Sequence, residues 1–258
     1  MKICFIGNSH LGPLAVTSSG VAPKFANEER KFYISRTYGN QLLKLVGAND
    51  VASLDMVKID GANNSDSTIF TEEWDQFVVL GFGFSVVSMI ESWKEYQPDD
   101  LPFDLGGQLL TPQVSNSYMN HRVAHSQASR LISILKRITD KPVTLVPAPL
   151  PAEWAGTETG ERLKAFHAFK DDSAQRYLIE QYEIQKERFV ASGIQVIDQP
   201  SETKNGSMWT KTSLCLGQPG TLDERGFFER RDFYHMNKTF GKMMLSRIIS
   251  ELYEQQGK

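Results

Sequence analysis

The sequence predicts a doubly wound α/β fold in which helices cover both faces of a mostly parallel sheet. Short apolar runs rich in β-branched residues alternate with longer amphipathic or polar stretches from the first residue to the last. Such runs suit the strands of a parallel sheet that is covered on both faces. No internal repeat or low-complexity segment interrupts this alternation.

The strands are predicted from six runs that are short, β-branched and bounded by Gly, Pro or Asp. In chain order they are Lys2–Ile6, Lys31–Ser35, Met56–Ile59, Phe77–Leu80, Pro142–Val146 and Gln195–Ile197.

Three long helices are predicted between or after these strands. The stretch Asn120–Arg137 places its apolar residues on one side at helical spacing, and Asp140-Lys141-Pro142 ends it. The stretch Asp172–Ala191 has acids at its start and Ser192-Gly193 at its end, which are good boundary signals. A final helix is expected at about Lys238–Gln255.

Two stretches do not follow the alternation of strands and helices. Glu91–Val114 is rich in Pro, Asp and Gly, and Ser201–Arg231 is rich in Gly, Ser and Thr. Each contains several large apolar residues, unlike a linker between two cores, and loops of this length in compact domains are usually functional. We therefore predict a single domain over residues 1–258 with long excursions at about 91–114 and 201–231.

The composition excludes several functional classes. The 258 residues carry 28 Lys+Arg against 31 Asp+Glu, a net charge of −3 that argues against a nucleic-acid partner. No apolar run approaches the ~20 residues that span a bilayer. The apolar stretch at the N-terminus is too short for a signal peptide, which favours a cytoplasmic location. With Cys4 and Cys215 as the only cysteines, neither a disulfide framework nor a four-cysteine metal site is expected.

A serine follows the first predicted strand, at the sheet edge where ligands of α/β proteins bind. The segment Gly7-Asn8-Ser9-His10 places the Ser9 hydroxyl beside backbone N–H groups at the start of a helix. Such a position suits a nucleophile, because a helix N-terminus favours developing negative charge. The alternative is that Ser9 is only the N-cap of that helix.

An acid and a histidine precede the last predicted helix. Asp232 and His235 lie three residues apart in a turn, so the carboxylate can hold one nitrogen of the imidazole while the other takes a proton from a serine. The alternatives are a capping Asp232 and a His235 that lies at the surface or in the core. Together with a serine at the tip of the first strand, the pair becomes a specific signal.

On these motifs the chain resembles the SGNH, or GDSL-type, hydrolases, a superfamily of esterases, lipases and carbohydrate acyl-esterases. The resemblance implies a three-layer α/β/α sandwich with a central parallel sheet, of the flavodoxin-like type. It also implies that Ser9 is the nucleophile, His235 the general base and Asp232 its orienting acid. The implied reaction requires no metal and no organic cofactor.

The oxyanion hole is the weaker part of the resemblance. The family forms it from the N–H of the serine, a glycine and an asparagine, for which Ser9 and Gly61 are the matches here. Gly83 stands where the family has the asparagine, and loss of that donor could cost roughly 2.7–4 kcal/mol in the transition state. Either the N–H of Gly83 or the side chain of Asn63 or Asn64 substitutes for it, or the activity is weak, altered or absent.

Other residues near these motifs are candidates for substrate contact, namely Asn8, His10, Phe82 and Phe84. The alternative for Gly81 and Gly83 is a tight turn where a loop passes close to the sheet.

A pair of histidines has the spacing of two metal ligands. His121 and His125 are separated by four residues, but Arg122 stands where a His-Glu-x-x-His motif has its glutamate. Histidines that face solvent or line a site are therefore expected, and no metal site is predicted.

The resemblance implies an esterase that acts on a small or carbohydrate-linked O-acyl ester. Two alternatives remain open. One is a saccharide O-acyltransferase with the same triad, and the other is a non-catalytic carbohydrate-binding protein on the same scaffold. Expected partners are therefore small-molecule or saccharide esters, with no membrane span.

Overall fold

The structure is a computed structural model that describes residues 1–35, 41–47, 50–56, 59–60, 68–101, 103–219 and 232–256. Its strands are β1 (Lys2–Gly7), β2 (Glu29–Ser35), β3 (Gln41–Val46), β4 (Val51–Met56), β5 (Ile59–Asp60), β6 (Thr68–Phe70), β7 (Gln76–Leu80), β8 (Tyr96–Pro98), β9 (Gln108–Leu110), β10 (Val143–Val146), β11 (Gln195–Val196), β12 (Lys204–Asn205) and β13 (Trp209–Thr210). Its α-helices are α1 (Gly12–Thr17), α2 (Val86–Trp93), α3 (Pro112–Ala124), α4 (Gln127–Ile138), α5 (Lys164–His167), α6 (Asp172–Ala191) and α7 (Lys238–Gln256).

The main sheet has the order β11-β10-β7-β1-β2-β5. The first five of these strands pair in parallel, and β5 is antiparallel to β2. From β1 the chain moves to β2 on one side, and it later returns to β7 on the other side. The strand order therefore reverses between β1 and β7, which is the crevice where doubly wound sheets bind their ligands.

Helices cover both faces of this sheet. On one face α1 packs against α7, and Phe240 and Met244 of α7 lie with Leu14, Leu80 and Val146 around a small cavity. On the other face α4 contacts β7 and β10, and α6 contacts β11. Right-handed crossovers require this arrangement, because β1→β2 and β7→β10→β11 run in opposite directions across the sheet. The predicted three-layer α/β/α sandwich with a central parallel sheet is confirmed.

The two ends of the chain meet where α1 crosses α7. A Cβ atom at Gly241 would lie 2.3 Å from the carbonyl oxygen of Pro13, far inside van der Waals contact. Only a glycine allows this close approach of the two backbones. The crossing fixes the start of α7 next to the segment that follows β1.

The predicted strand Met56–Ile59 is wrong as a member of the parallel sheet. Val51–Met56 instead forms an antiparallel pair with β3, in a separate sheet of order β4-β3-β6. Ile59–Asp60 pairs antiparallel with the end of β2. Three of the four residues at 56–59 are apolar, which indicates a strand but carries no information about its partner, and residues 57 and 58 lie outside the described part of the chain.

The single helix predicted over Asn120–Arg137 is also wrong, because two helices share this range. α3 ends at Ala124 and α4 begins at Gln127. The hydroxyl of Ser126 accepts a hydrogen bond from the Ser129 N–H (3.2 Å), so Ser126 is the N-cap of α4. The apolar spacing continues across the break, which is why the periodicity alone did not reveal it. The predicted helix Asp172–Ala191 is confirmed with the same bounds.

Both predicted excursions contain regular elements. The first includes the end of α2, the parallel pair β8–β9 and the start of α3. The second includes the antiparallel pair β12–β13, and its residues 220–231 lie outside the described part of the chain. The single-domain organisation stays a prediction.

Candidate active site

Ser9 lies at the reversal point of the sheet, directly after β1. Gly7 pairs in register with Leu80 of β7, so Ser9 stands at the carboxyl end of both strands. The side-chain oxygen of Asn8 accepts the N–H of His10 (3.2 Å) and caps the 3-10 turn Ser9–Leu11. Asn8, and not Ser9, is therefore the N-cap, and the Ser9 side chain is solvent-exposed.

The side chains of Ser9, His235 and Asp232 form a continuous chain of hydrogen bonds. His235 Nε2 lies 2.7 Å from Ser9 Oγ. His235 Nδ1 lies 2.7 Å from Asp232 Oδ2 and 2.9 Å from Asp232 Oδ1. A carboxylate only accepts, so Nδ1 carries the proton, and in the neutral ring Nε2 is the acceptor for the Ser9 hydroxyl.

The environment of Asp232 keeps its carboxyl ionised. Burial raises the pKa of Asp232, whereas hydrogen bonds from the His235 ring and from the backbone N–H groups of His235 and Tyr234 lower it. The hydrogen bonds outweigh burial, and the pKa lies below its ordinary value. The Asp232 side chain is only 15% exposed, so its negative charge acts on His235 with little screening by water.

The turn that carries Asp232 and His235 is held by the second excursion. The N–H of Leu216 donates to the carbonyl of His235 (2.9 Å), and the N–H of Asn237 donates to the carbonyl of Leu214 (2.8 Å). Asn237 Oδ1 in turn accepts the N–H of Phe240 (3.1 Å) in the first turn of α7. The described part of this excursion therefore positions the histidine.

His10 packs against the candidate base. Its ring centroid lies 5.2 Å from that of His235, with an angle of 28° between the rings, and 5.8 Å from that of Tyr234. Burial and the neighbouring His235 lower the pKa of His10 to about 3, against the opposing effect of Asp232. Its Nδ1 atom is buried and has no hydrogen-bond partner among the described residues. A neutral ring thus lies beside His235.

The residues predicted for the oxyanion hole are only partly described. Gly61, Asn63 and the alternative Asn64 lie outside the described residues. Gly83 follows β7 with a φ of +84° and open space around it. Gly81, with a φ of +79°, lies against Asn8 and donates its N–H to the carbonyl of Val146 (2.9 Å). The tight turn expected at these glycines is present.

Phe82 and Phe84 are buried, at 3% and 2% exposure. The Phe84 ring packs on Tyr182 (centroids 5.3 Å apart) and Phe189 (4.9 Å) of α6. Both phenylalanines also line a cavity of about 400 Å³ between α2 and α3. Their predicted contact with substrate stays a prediction.

The same cavity is lined by residues that sequence reasoning did not assign to a site. Arg122 lies on its rim, between His121 and His125 on α3. His121 and His125 also line this cavity, and the spacing of the two histidines is the sequence signal that points to it.

Within the described ranges, no cluster of three or more His, Cys, Asp or Glu side chains is arranged to hold a metal ion. No helix in the same ranges is long and apolar enough to cross a membrane.

Comparisons with known proteins show only distant likeness. No protein-family model and no curated protein matches the sequence. Similar solved structures include a candidate acylhydrolase from Bacteroides fragilis (11% identity, TM-score 0.43, 98% of this chain and 87% of that chain). Another is a GDSL-like lipase from Bacteroides thetaiotaomicron (12%, 0.42, 99% and 88%). A third is an acetyl xylan esterase from the rumen bacterium Butyrivibrio proteoclasticus (10%, 0.38, 99% and 64%).

Proposed function

We propose that this chain is a serine-dependent carboxylic ester hydrolase of the SGNH type. The observation that carries the proposal is the hydrogen-bond chain from Ser9 Oγ through the His235 ring to Asp232, with both ring distances at 2.7 Å. A capping serine or a core histidine would not require this alignment. The hydrogen-bond chain supplies a nucleophile, a base and an orienting acid in the order that acyl transfer needs.

The first half of the reaction forms an acyl-enzyme. Ser9 Oγ attacks the ester carbonyl while its proton passes to His235 Nε2. The imidazolium that forms is stabilised by the ionised Asp232, to which its Nδ1–H already donates. His235 then gives the proton to the departing alcohol, and the Ser9 acyl ester remains.

The second half uses water as the acceptor. His235 takes a proton from a water molecule that attacks the acyl carbonyl, and it returns that proton to Ser9 as the acid leaves. The solvent exposure of Ser9 supports hydrolysis over transfer to a sugar, because water reaches the site. Product analysis with and without a sugar acceptor separates the two, since an acyltransferase would form a new ester when the acceptor is added.

The negative oxygen of the tetrahedral intermediate needs hydrogen-bond donors. We assign this role to the N–H groups of Ser9 and Gly61, with the N–H of Gly83 or the side chain of Asn63 as the third donor. The Ser9 N–H lies in the first turn after β1, where partial positive charge is concentrated.

We propose a small or carbohydrate-linked O-acyl ester as substrate. The motif resemblance includes carbohydrate acyl-esterases, and the net charge of −3 suits a small ester better than a polyanion.

Hydrolysis of a short-chain chromogenic ester tests the proposed reaction. We expect turnover by the wild type and a loss of at least ~10³-fold in kcat for Ser9→Ala, because no other group replaces the nucleophile. Ser117→Ala is the matched control, since Ser117 is exposed on α3 and donates only to the carbonyl of Gln113. Folded wild type with no turnover, behaving like Ser9→Ala, would instead support a non-catalytic binding protein.

A further inference from the structure

The cavity between α2 and α3 opens at the same edge of the sheet as Ser9. It holds about 400 Å³ and has an apolar floor that includes Phe82, Met89 and Met119. Its rim is polar, with the hydroxyls of Ser85 and Ser88 hydrogen-bonded to each other (2.9 Å). This combination of apolar surface and a few polar groups is typical of small-molecule sites.

The cavity and the candidate triad are joined by a short piece of backbone. A Cβ atom at Gly81 would lie 2.6 Å from the side-chain oxygen of Asn8, the residue before Ser9. Gly83, which lines the cavity, follows two residues later, so at most about 7 Å of extended chain separates these positions. The turn that lines the cavity therefore also contacts the residue before Ser9.

Arg122 is the charged residue among the described residues that line the cavity, which include no Asp or Glu. Outside the lining, Glu95 accepts a hydrogen bond from Tyr118 Oη (3.3 Å). The Arg122 guanidinium lies over the Tyr118 ring, 5.8 Å from its centroid, and donates to Tyr118 Oη (3.4 Å). A guanidinium has five N–H donors, and this contact uses one of them.

His121 and His125 also line the cavity. Their rings stack with centroids 4.0 Å apart, and His125 Nδ1 donates to the carbonyl of His121 (2.8 Å). Two helices also start at the cavity, since Ser85 caps α2 and Ser126 caps α4. Their N-termini add partial positive charge to that of Arg122.

We propose that this cavity binds an anionic group of the substrate, such as a carboxylate, through Arg122. The preferred substrate of the proposed hydrolase is then an acidic ester whose charge sits in the cavity while its carbonyl lies at Ser9. The inference rests on the proposed function for the reaction, but the binding of the anion can be measured independently of turnover.

Matched pairs of esters that differ only in charge test the preference. The 4-nitrophenyl half-ester of adipic acid is compared with its methyl ester, which places the charge on the acyl side. Acetoxybenzoate is compared with its methyl ester, which places the charge on the alcohol side. In at least one pair, we expect Arg122→Gln to raise KM for the acid about tenfold and to leave the neutral ester within twofold. Arg130→Gln, an exposed arginine on α4 that does not line the cavity, is the matched control.

Calorimetric titration of adipate and of 4-hydroxybenzoate into the Ser9→Ala variant tests anion binding by the cavity separately from the proposed hydrolase activity. Binding of either acid that disappears in Ser9→Ala/Arg122→Gln supports the cavity, even where no ester is hydrolysed and the proposed function fails. Turnover of the neutral esters without any charge preference, and without any effect of Arg122→Gln, would overturn the cavity proposal and leave the hydrolase intact.

Discussion

His10 shows how a single side chain can shape the chemistry of its neighbour. In the proposed acyl transfer His235 becomes a cation, and a second cation stacked on it would oppose that change. Because burial holds His10 neutral, it packs against His235 without electrostatic repulsion. The sequence placed His10 beside the nucleophile but gave no indication of its burial, which depends on the distant Tyr234–His235 segment.

The low pKa of His10 makes the folded state sensitive to acid. The pKa falls from its usual 6.5 in the unfolded chain to about 3 in the folded protein, so the unfolded chain binds the extra proton first. Its contribution to stability is complete above pH 6.5 and is lost progressively as the pH falls toward 3. We expect His10→Phe to weaken this pH dependence of the free energy of unfolding, measured by urea titration.

The matched control for that measurement is His121→Gln, at an exposed position on α3. An unchanged slope between pH 6.5 and 4 in His10→Phe would contradict the burial of a neutral His10. Protonation of Asp232 also lowers the free energy of unfolding, but at lower pH. Its pKa is lowered in the folded protein, so its contribution to stability is lost only as the carboxylate is protonated.

The turn after β7 places two glycines in the left-handed region with different surroundings. Gly81 lies against Asn8, whereas Gly83 has open space around it. Gly83→Ala should cost about 1–2 kcal/mol in unfolding free energy from backbone strain alone, and it keeps the N–H group proposed for the oxyanion. Gly81→Ala should cost more and should also lower kcat at least tenfold, because its Cβ would displace the cap of the Ser9 turn.

Thermal unfolding and ester kinetics on the two glycine variants check this expectation. Equal losses of stability and activity in both would show that the contact of Gly81 with Asn8 does not position Ser9.

The segment between α1 and β2 is fixed by a buried ion pair. The Arg30 and Glu28 side chains are 7% and 0% exposed and contact each other directly. Arg30 Nη1 also donates to the carbonyls of Ser18 (3.1 Å) and Val21 (3.0 Å), and Glu28 accepts the N–H of Lys24 (2.8 Å). All of these partners lie within residues 18–30, so the pair holds this segment in one conformation.

Removal of one partner should leave the other charge buried and unpaired. We expect Glu28→Ala to lower the unfolding free energy by about 3–5 kcal/mol. Glu28→Ala/Arg30→Met should lose less, since no unpaired charge remains. Glu91 and Lys94 form an exposed ion pair, and there Glu91→Ala should change the unfolding free energy by less than ~1 kcal/mol. Equal losses at the two sites, measured by chemical denaturation, would contradict the role of the buried pair.

Across the chain, the predictions rest on local signals. Ser9 follows a buried strand and Asp232 and His235 precede a helix, and the structure brings the three side chains within hydrogen-bond distance, while their catalytic roles stay a prediction. The parallel sheet was predicted from short apolar runs that alternate with amphipathic stretches. The strand at Met56–Ile59 and the helix break at Ser126 were missed, since partner choice and capping depend on residues that periodicity does not report. Arg122 was not assigned a role because the cavity forms only when α2 and α3 come together.

Ser9 and His235 are 226 residues apart in the sequence, yet their side chains lie within hydrogen-bond distance. The five parallel strands and the crossing of α1 with α7 at Gly241 accomplish this. The site is therefore a product of the complete sheet, and its reactivity reports on the fold as a whole.

In the proposed mechanism, His235 and Asp232 activate Ser9. Reaction with a fluorophosphonate, followed by peptide mass spectrometry, tests this activation, because such reagents modify activated serines. We expect one labelled residue, Ser9, in the wild type, and at least ~10³-fold slower labelling in His235→Ala, since the base is then absent. Labelling of another serine, or equal labelling rates in wild type and His235→Ala, would contradict it.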